Sequence, residues 1–349
     1  SAYDQALALI DRSTAIVPAY PPTIRVRASL RFATHDFAGA SADAATALGG
    51  APDDATALAV LGDAALELGR PDDAAAAYDR LEAVGAGPWL DVRRARLAYV
   101  TGDPERAVQL AARARAAAVR DDPADAGFYA FAHAEYARLA GDARTARLGY
   151  EAALAVRATD LGALVGLARI DAAAGDTQAA IDGLRQAAAI APQPETLGLL
   201  GDLLAAAGDE AAADDQFATV RLAGTLGDLA GAVYDRQLIA FELDHGGATE
   251  ATLAAARSSA ADRPDAAGHD LLAWALHRLG RDDEASAASD RARATGIVDA
   301  RILFHAGAIA ISRGDRDGGE RLVRQARELG AALDPIEAAE ADALLGGRG

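Results

Sequence analysis

The feature that most limits what this chain can fold into is a doublet, Gly followed by Asp or Arg. It returns at Gly69-Arg70, Gly102-Asp103, Gly141-Asp142, Gly175-Asp176, Gly208-Asp209, Gly280-Arg281 and Gly314-Asp315. The spacings are mostly 33 or 34 residues. Each doublet follows an apolar stretch of helical period and precedes another. Gly supplies the positive φ that stops the first helix. A small residue stands seven positions before each Gly (Gly62, Ala95, Ala134, Ala168, Gly201, Ala273, Gly307). Another stands five positions after most of them (Ala74, Ala107, Ala146, Ala180, Ala213, Ala285). Small residues at those places let two helices approach closely, so one period is one helix pair.

Length and composition agree with an array. A chain of 349 residues exceeds what one hydrophobic core normally serves. Half of it is hydrophobic but only 5% is aromatic, so Ala and Leu supply the burial, as in closely stacked helices. The formal charge of −18 repels nucleic acid and anionic bilayers, which excludes a nucleic-acid partner from the expected functions. No run approaches the roughly 18 uncharged apolar residues that a membrane span requires, so no membrane insertion is expected. Cysteine is absent, which removes disulfides and thiolate zinc sites.

Leu often precedes the first small residue, as in Leu61-Gly62, Leu167-Ala168 and Leu200-Gly201. Larger apolar residues follow the second, such as Tyr78, Tyr150, Leu184, Phe217 and Val323, and then sometimes Pro, as at Pro52 and Pro192. This order resembles the tetratricopeptide repeat, across nearly the whole chain. The resemblance implies an all-α fold, a right-handed α-α superhelix of about nine helix-turn-helix repeats over residues 21–335. Their starts fall near residues 21, 55, 88, 127, 161, 194, 232, 266 and 300. Residues 1–20 read as half a repeat, the second helix of a preceding one, and 336–349 as a capping helix and tail. The first repeat uses His35-Asp36 in place of Gly, and the seventh uses Gly246 with Ala251. Two longer gaps, around 115–126 and 219–231, are expected to lengthen second helices or their loops. Stretches such as Val233-Tyr234-Asp235-Arg236-Gln237-Leu238, Asp270-Leu271-Leu272-Ala273-Trp274 and Phe304-His305-Ala306-Gly307 resemble a group of uncharacterised bacterial tetratricopeptide proteins, many of them exported. That favours an extracytoplasmic address over a cytoplasmic one, with a signal or anchor upstream of Ser1.

Catalytic signatures are sparse. The six histidines form no His-Glu-x-x-His pair, and no Walker loop, Gly-x-Ser-x-Gly elbow or dinucleotide fingerprint is present. Acidic pairs at Asp53-Asp54, Asp72-Asp73, Asp121-Asp122 and Asp282-Asp283 lack EF-hand spacing and suit helix starts instead. No cofactor, metal or catalytic residue is expected. A remote alternative is an enzyme with a closed site holding His277, Asp270 and Arg278.

The family places its ligand on the concave face, along the first helix of each repeat. Carried over by position, the resemblance implies a groove made by Arg25 and Phe32 in the first repeat, Asp63 and Glu67 in the second, and Trp89, Arg96 and Tyr99 in the third. Phe128, Phe131, Glu135 and Arg138 follow in the fourth, Arg169 in the fifth, Asp202 in the sixth, and Arg236 and Asp244 in the seventh. Asp270, Trp274, His277 and Arg278 come from the eighth, and Arg301 and Phe304 from the ninth. Both tryptophans fall on this face. Aromatics and Arg dominate binding hot spots. The expected function is therefore a non-catalytic scaffold for a protein or extended peptide. Arg96, Arg138 and Arg169 would form a strip that captures carboxylates, or else would form salt bridges to Glu135 and other groove acids. Exposed apolar residues of the half repeat, Leu7, Leu9 and Ile10, suggest self-association as the alternative.

Overall fold

The computed structural model describes residues 2–18, 20–85, 87–121, 123–230 and 235–346. Among them are twenty α-helices and no strand. Helix α1 (Ala2–Ile16) is followed by pairs: α2 (Pro21–Ala33) with α3 (Phe37–Gly50), α4 (Ala55–Glu67) with α5 (Pro71–Ala83), and α6 (Pro88–Val100) with α7 (Pro104–Asp121). Then come α8 (Pro123–Leu139) with α9 (Ala143–Val156), α10 (Leu161–Ala173) with α11 (Thr177–Ile190), and α12 (Pro194–Ala206) with α13 (Glu210–Ala230). The last pairs are α14 (Asp235–Asp244) with α15 (Glu250–Asp262), α16 (Ala266–Arg278) with α17 (Asp282–Ala292), and α18 (Ala300–Ser312) with α19 (Arg316–Glu328). A 3₁₀ turn at Gly330–Ala332 leads into α20 (Pro335–Gly346). Packing runs between consecutive helices, as in a solenoid.

The recurring doublet works through both of its residues. At the third repeat Gly102 takes φ +86, and the amide of Asp103 bonds back to the Ala98 carbonyl at 2.8 Å, closing α6 with a Schellman turn. The Asp103 carboxylate then accepts from the Arg106 amide at 2.9 Å and caps α7. Asp142, Asp176 and Asp315 cap their second helices in the same way. In the first repeat His35 takes the Gly position with φ 63. The small residues set the interhelical distance: a Cβ added at Gly62 would come within 2.8 Å of Tyr78 Cδ1, and the Gly201–Phe217 and Gly307–Val323 pairs are equally close.

The gap around 219–231 is absorbed in the second helix α13, with 21 residues, whereas that around 115–126 is shared between α7, with 18, and the first helix α8, with 17, which starts at Pro123 instead of near 127. The seventh repeat's expected start, and the motif residues Val233 and Tyr234, lie outside the described residues. So does Asp122 of the third acidic pair. Asp54 caps α4, and Asp72, Asp73, Asp282 and Asp283 stand in first helical turns.

The array also curls back upon itself. The Gly69 turn meets Pro264, the Gly102 turn meets Gly296, and the Gly141 turn meets Leu329. The turns of repeats two and three thus touch the entries to repeats eight and nine, six repeats later. Arg263 crosses this seam to bond Glu67 and lies over the Phe37 ring at 4.9 Å.

Candidate functional site

Closure of the superhelix brings the first helices of distant repeats together around one interior space. On α8, Phe128, Phe131, Glu135 and Arg138 follow helical spacing and share a face. They look across to α6 on one side, α10 on the other, and the 3₁₀ turn before α20 opposite. A cavity of about 610 Å³ lies between them, with Val92, Phe128, Phe131, Tyr136 and Ile302 among its apolar lining and Arg96, Glu135, Arg169, Arg301 and Asp334 among its charged lining. A second space of about 240 Å³ continues it past Arg169, Glu195, Arg301 and Asp334 to Asp202, Arg236 and His245. Phe128 stands at the larger cavity with 55% of its surface exposed.

The inner wall is not bare. Arg96 bonds Glu67 at 2.6 Å, and Glu67 also holds Arg263. Tyr99 donates to Asp299 at 2.5 Å, across 200 positions of sequence. Arg138 pairs with Glu135 and donates to the Ala331 carbonyl at 2.9 Å. Arg169 grips Asp334 through Nε at 2.8 Å and Nη2 at 3.0 Å, and reaches Glu195 at 3.0 Å. Arg236 bonds Asp265 at 3.1 Å and the Arg263 carbonyl at 2.7 Å. Arg301 bonds Glu337 at 2.5 Å and Asp244 at 3.1 Å. Of the two sequence readings of Arg96, Arg138 and Arg169, the structure has the paired one: each already holds a carboxylate of the same chain.

Electrostatics follow from this pairing. Burial raises the Glu135 carboxyl, but Arg138 and the Tyr150 hydroxyl, which donates at 2.5 Å, outweigh it and hold the group below its usual range. Burial likewise opposes the charge on Asp334, yet Arg169 lowers its pKa to about 2. For Glu337, burial wins and pushes the carboxyl up in spite of Arg301. Asp202, raised chiefly by burial, bonds His245 at 2.8 Å, and that bond lifts the imidazole against its own desolvation.

The eighth and ninth repeats depart from the expected open groove. Trp274 and Phe304, with 2% and 0% of their surfaces exposed, are core residues. Trp274 donates to Asp244 at 3.0 Å, stacks on His305 at 4.0 Å and carries the Arg278 guanidinium over its ring, 4.4 Å from the centroid. Trp274 and Phe304 pack between α14, α16 and α18, and both border a space of about 480 Å³ that α20 closes with Glu340, Ala343 and Leu344. The grouping of His277, Asp270 and Arg278 in one closed site is not formed. Asp270 is buried and bonds His305 at 2.9 Å, whereas His277 bonds Asp282 at 2.6 Å. His277 and Arg278 border a space of about 480 Å³ that Asp270 does not line, and Arg278 bonds Glu340 there at 2.8 Å.

Five expected groove residues, Arg25, Phe32, Asp63, Glu67 and Trp89, do not line these spaces. Arg25 bonds Asp54 at 2.9 Å, Phe32 meets Phe37 edge-on at 5.2 Å, and Trp89 stacks beneath Arg93 at 5.0 Å. Asp63 receives Tyr78 at 2.8 Å and Arg93 at 3.0 Å. The residues that sequence reasoning missed are those facing the wall from the far end: Ala331, Asp334 and Glu337. Their one sequence signal is the acid spacing of Glu337 and Glu340, three apart and so on one helix face, opposite the arginines of α16 and α18.

The structure is similar to that of PilW, described as a widely conserved type IV pilus biogenesis factor, with a TM-score of 0.50 and 18% identity over 58% of this chain and 92% of that one. The chain has a tetratricopeptide-type fold, a solenoid of paired helices. Two further similar structures are a tetratricopeptide repeat protein from Parabacteroides merdae and the Cut9–Hcn1 tetramer. The first has a TM-score of 0.40 at 15% identity, over 74% of this chain and 99% of that one. The second has 0.48 at 13% identity, over 99% and 66%. No protein-family model and no curated protein matches the sequence. Tetratricopeptide arrays as a class hold proteins and peptides on their curved surfaces. Among the described residues, no helix is long and apolar enough to cross a membrane, and no cluster of three or more His, Asp or Glu could hold a metal ion.

Proposed function

We propose that this protein is a non-catalytic scaffold that holds a protein or an extended peptide against the inner wall of its superhelix. The observation that carries this reading is the cavity of about 610 Å³ before α6 and α8, with exposed Phe128 beside it. Its volume falls within the about 300–1,000 Å³ typical of ligand sites, and its mixed lining of aromatic rings and paired arginines suits apolar side chains flanked by polar backbone. Partner carboxylates reach Arg96, Arg138 or Arg169 only by exchange with acids already there, so apolar contact leads and carboxylate exchange follows.

Panning a random peptide library against the whole chain tests this. Enriched peptides should lose about tenfold or more in affinity against Phe128→Ser, the scale of an aromatic hot spot. They should bind normally to Leu148→Ser, which removes an exposed apolar residue from α9. Equal affinity for both variants would remove the inner wall from consideration. Docking of a second helix on α1 is the other reading, supported by exposed Leu9, Ile16 and Val17 on and just after that helix. It predicts concentration-dependent mass in solution that Leu9→Ser abolishes.

A further inference from the structure

One sheltered ion pair ties repeat six to repeat seven. Helix α14 packs on α12 and α13 through a small apolar cluster, with Leu197, Val220 and Phe241 buried and Phe217 and Leu238 partly so. Among the described residues, three hydrogen bonds or ion pairs cross from α12 and α13 to α14 and the residue that follows it. Gln237 reaches Glu195 at 3.4 Å, and Arg221 stands 3.7 Å from Glu242. The third is shorter: His245 Nε2 meets Asp202 at 2.8 Å, with each side chain only 12% exposed.

The surroundings of this imidazole call for its charged form. Its Nδ1 lies 2.7 Å from the Phe241 carbonyl, so both ring nitrogens face oxygens that accept. Both therefore donate, and an imidazole that donates twice carries the proton. The ring stacks on Phe241 at 4.2 Å and meets Phe217 at 4.5 Å, which fixes it between the two repeats. Asp202 depends on it. Around the same space Glu195 and Asp334 have Arg169, Glu242 has Arg221, and Asp244 has Arg301. Arg236, the remaining cation there, is held by Asp265. Among the described residues, His245 is the one cation paired with Asp202.

We propose that His245 is a proton-operated latch between repeats six and seven. Charged, it joins the Asp202 carboxylate of α12 to the carbonyl end of α14 and keeps the two repeats together. Neutral, it turns one nitrogen lone pair on an acceptor and leaves a sheltered carboxylate without its cation, and the repeats loosen. The latch is independent of what the inner wall binds. Its position gives it reach, because the junction lies within the loop of chain that runs from the turns of repeats two and three to the entries of eight and nine. Asp202 and His245 also line the 240 Å³ space on the inner wall, so movement there alters that space. Burial opposes the charge on His245, but the bonds to Asp202 and the Phe241 carbonyl outweigh it and hold the imidazole above its ordinary 6.5. A group raised in this way contributes its full stability below pH 6.5 and loses it as pH rises through the raised value. The latch is closed in mild acid and released on the alkaline side.

Two measurements on the full chain test this. The first follows the His245 ring by proton–carbon NMR, assigned through the signal that His245→Asn lacks. Its midpoint should lie above 6.5 in the wild type and fall to 6.5 or below in Asp202→Asn. The second compares amide exchange in α14 and α15 with that in α4 and α5 from about pH 6 to about pH 9, corrected for the chemical rate. Protection of α14 and α15 relative to the reference helices should fall about tenfold for each unit by which the midpoint exceeds 6.5. In Asp202→Asn the ratio should stay level with pH. A merely structural role would weaken α14 equally at every pH, as His245→Asn should. A wild-type midpoint at or below 6.5, or a wild-type ratio that ignores pH, overturns the proposal. If Asp202→Asn does not fold, the wild type decides: a loss of protection that does not match the measured midpoint overturns it.

Discussion

Replacing Gly102 by alanine separates the cost of a strained turn from the cost of opening the superhelical seam. Gly102 and Gly208 both have φ +86, and each ends the first helix of its pair. A methyl group at Gly208 meets nothing within 4 Å, whereas one at Gly102 would lie 2.9 Å from the Gly296 carbonyl carbon and closer to its oxygen. Left-handed backbone costs an L-residue about 1–2 kcal/mol, and both variants incur it. Carbon atoms pack best at about 3.5–4.0 Å, so at Gly102 the two turns must separate by roughly 1 Å. Overpacking of that size adds about 1–3 kcal/mol. Gly102→Ala should therefore lose about 2–5 kcal/mol in urea denaturation, against about 1–2 for Gly208→Ala. Scattering should show a larger radius of gyration for Gly102→Ala alone. Equal losses and equal radii would refute the claim that these turns touch.

Three other outcomes follow from the same contacts. Asp334→Asn should cost about 2 kcal/mol at neutral pH. Because Asp334 has its folded pKa lowered from 3.8 to about 2, that difference should be complete above about pH 5 and fade as pH falls through the 4-to-2 interval in paired melts. Arg301→Ala leaves Glu337, 3% exposed, without its guanidinium, and should cost about 3–5 kcal/mol by denaturation, partly recovered by adding Glu337→Gln. His35→Gly should melt above His35→Ala, since both lose the imidazole and only glycine relieves φ 63, a difference of about 1 kcal/mol.

Local physics was legible and long-range closure was not. Gly102-Asp103 declares a turn in the sequence because positive φ and side-chain capping concern only adjacent residues. Gly62 against Tyr78 is legible for a related reason: both belong to one helix pair, and one period of the repeat holds all the information. Tyr99 with Asp299 and Arg169 with Asp334 depend on a small rotation per repeat summed over half of the array. No single repeat encodes that sum. Trp274 and Phe304 are buried by a different cause, the stacking of one ring on the next between adjacent repeats and on His305, which position on a first helix does not reveal. Arg138 and Arg169 were recognisable as carboxylate binders by type and position. Their occupants, 193 and 165 positions away, carried no comparable mark.

The central claim is that the solenoid closes, so that repeats three and nine are neighbours. With no native cysteine, spin labels can be placed cleanly on Thr101→Cys and Ala294→Cys. An open array would hold these sites about 60 Å apart, at about 10 Å for each of six helix layers. Pulsed dipolar spectroscopy should give one narrow distribution at less than half that separation. A broad distribution centred near the open-array value would contradict the closed superhelix and everything built upon its inner wall.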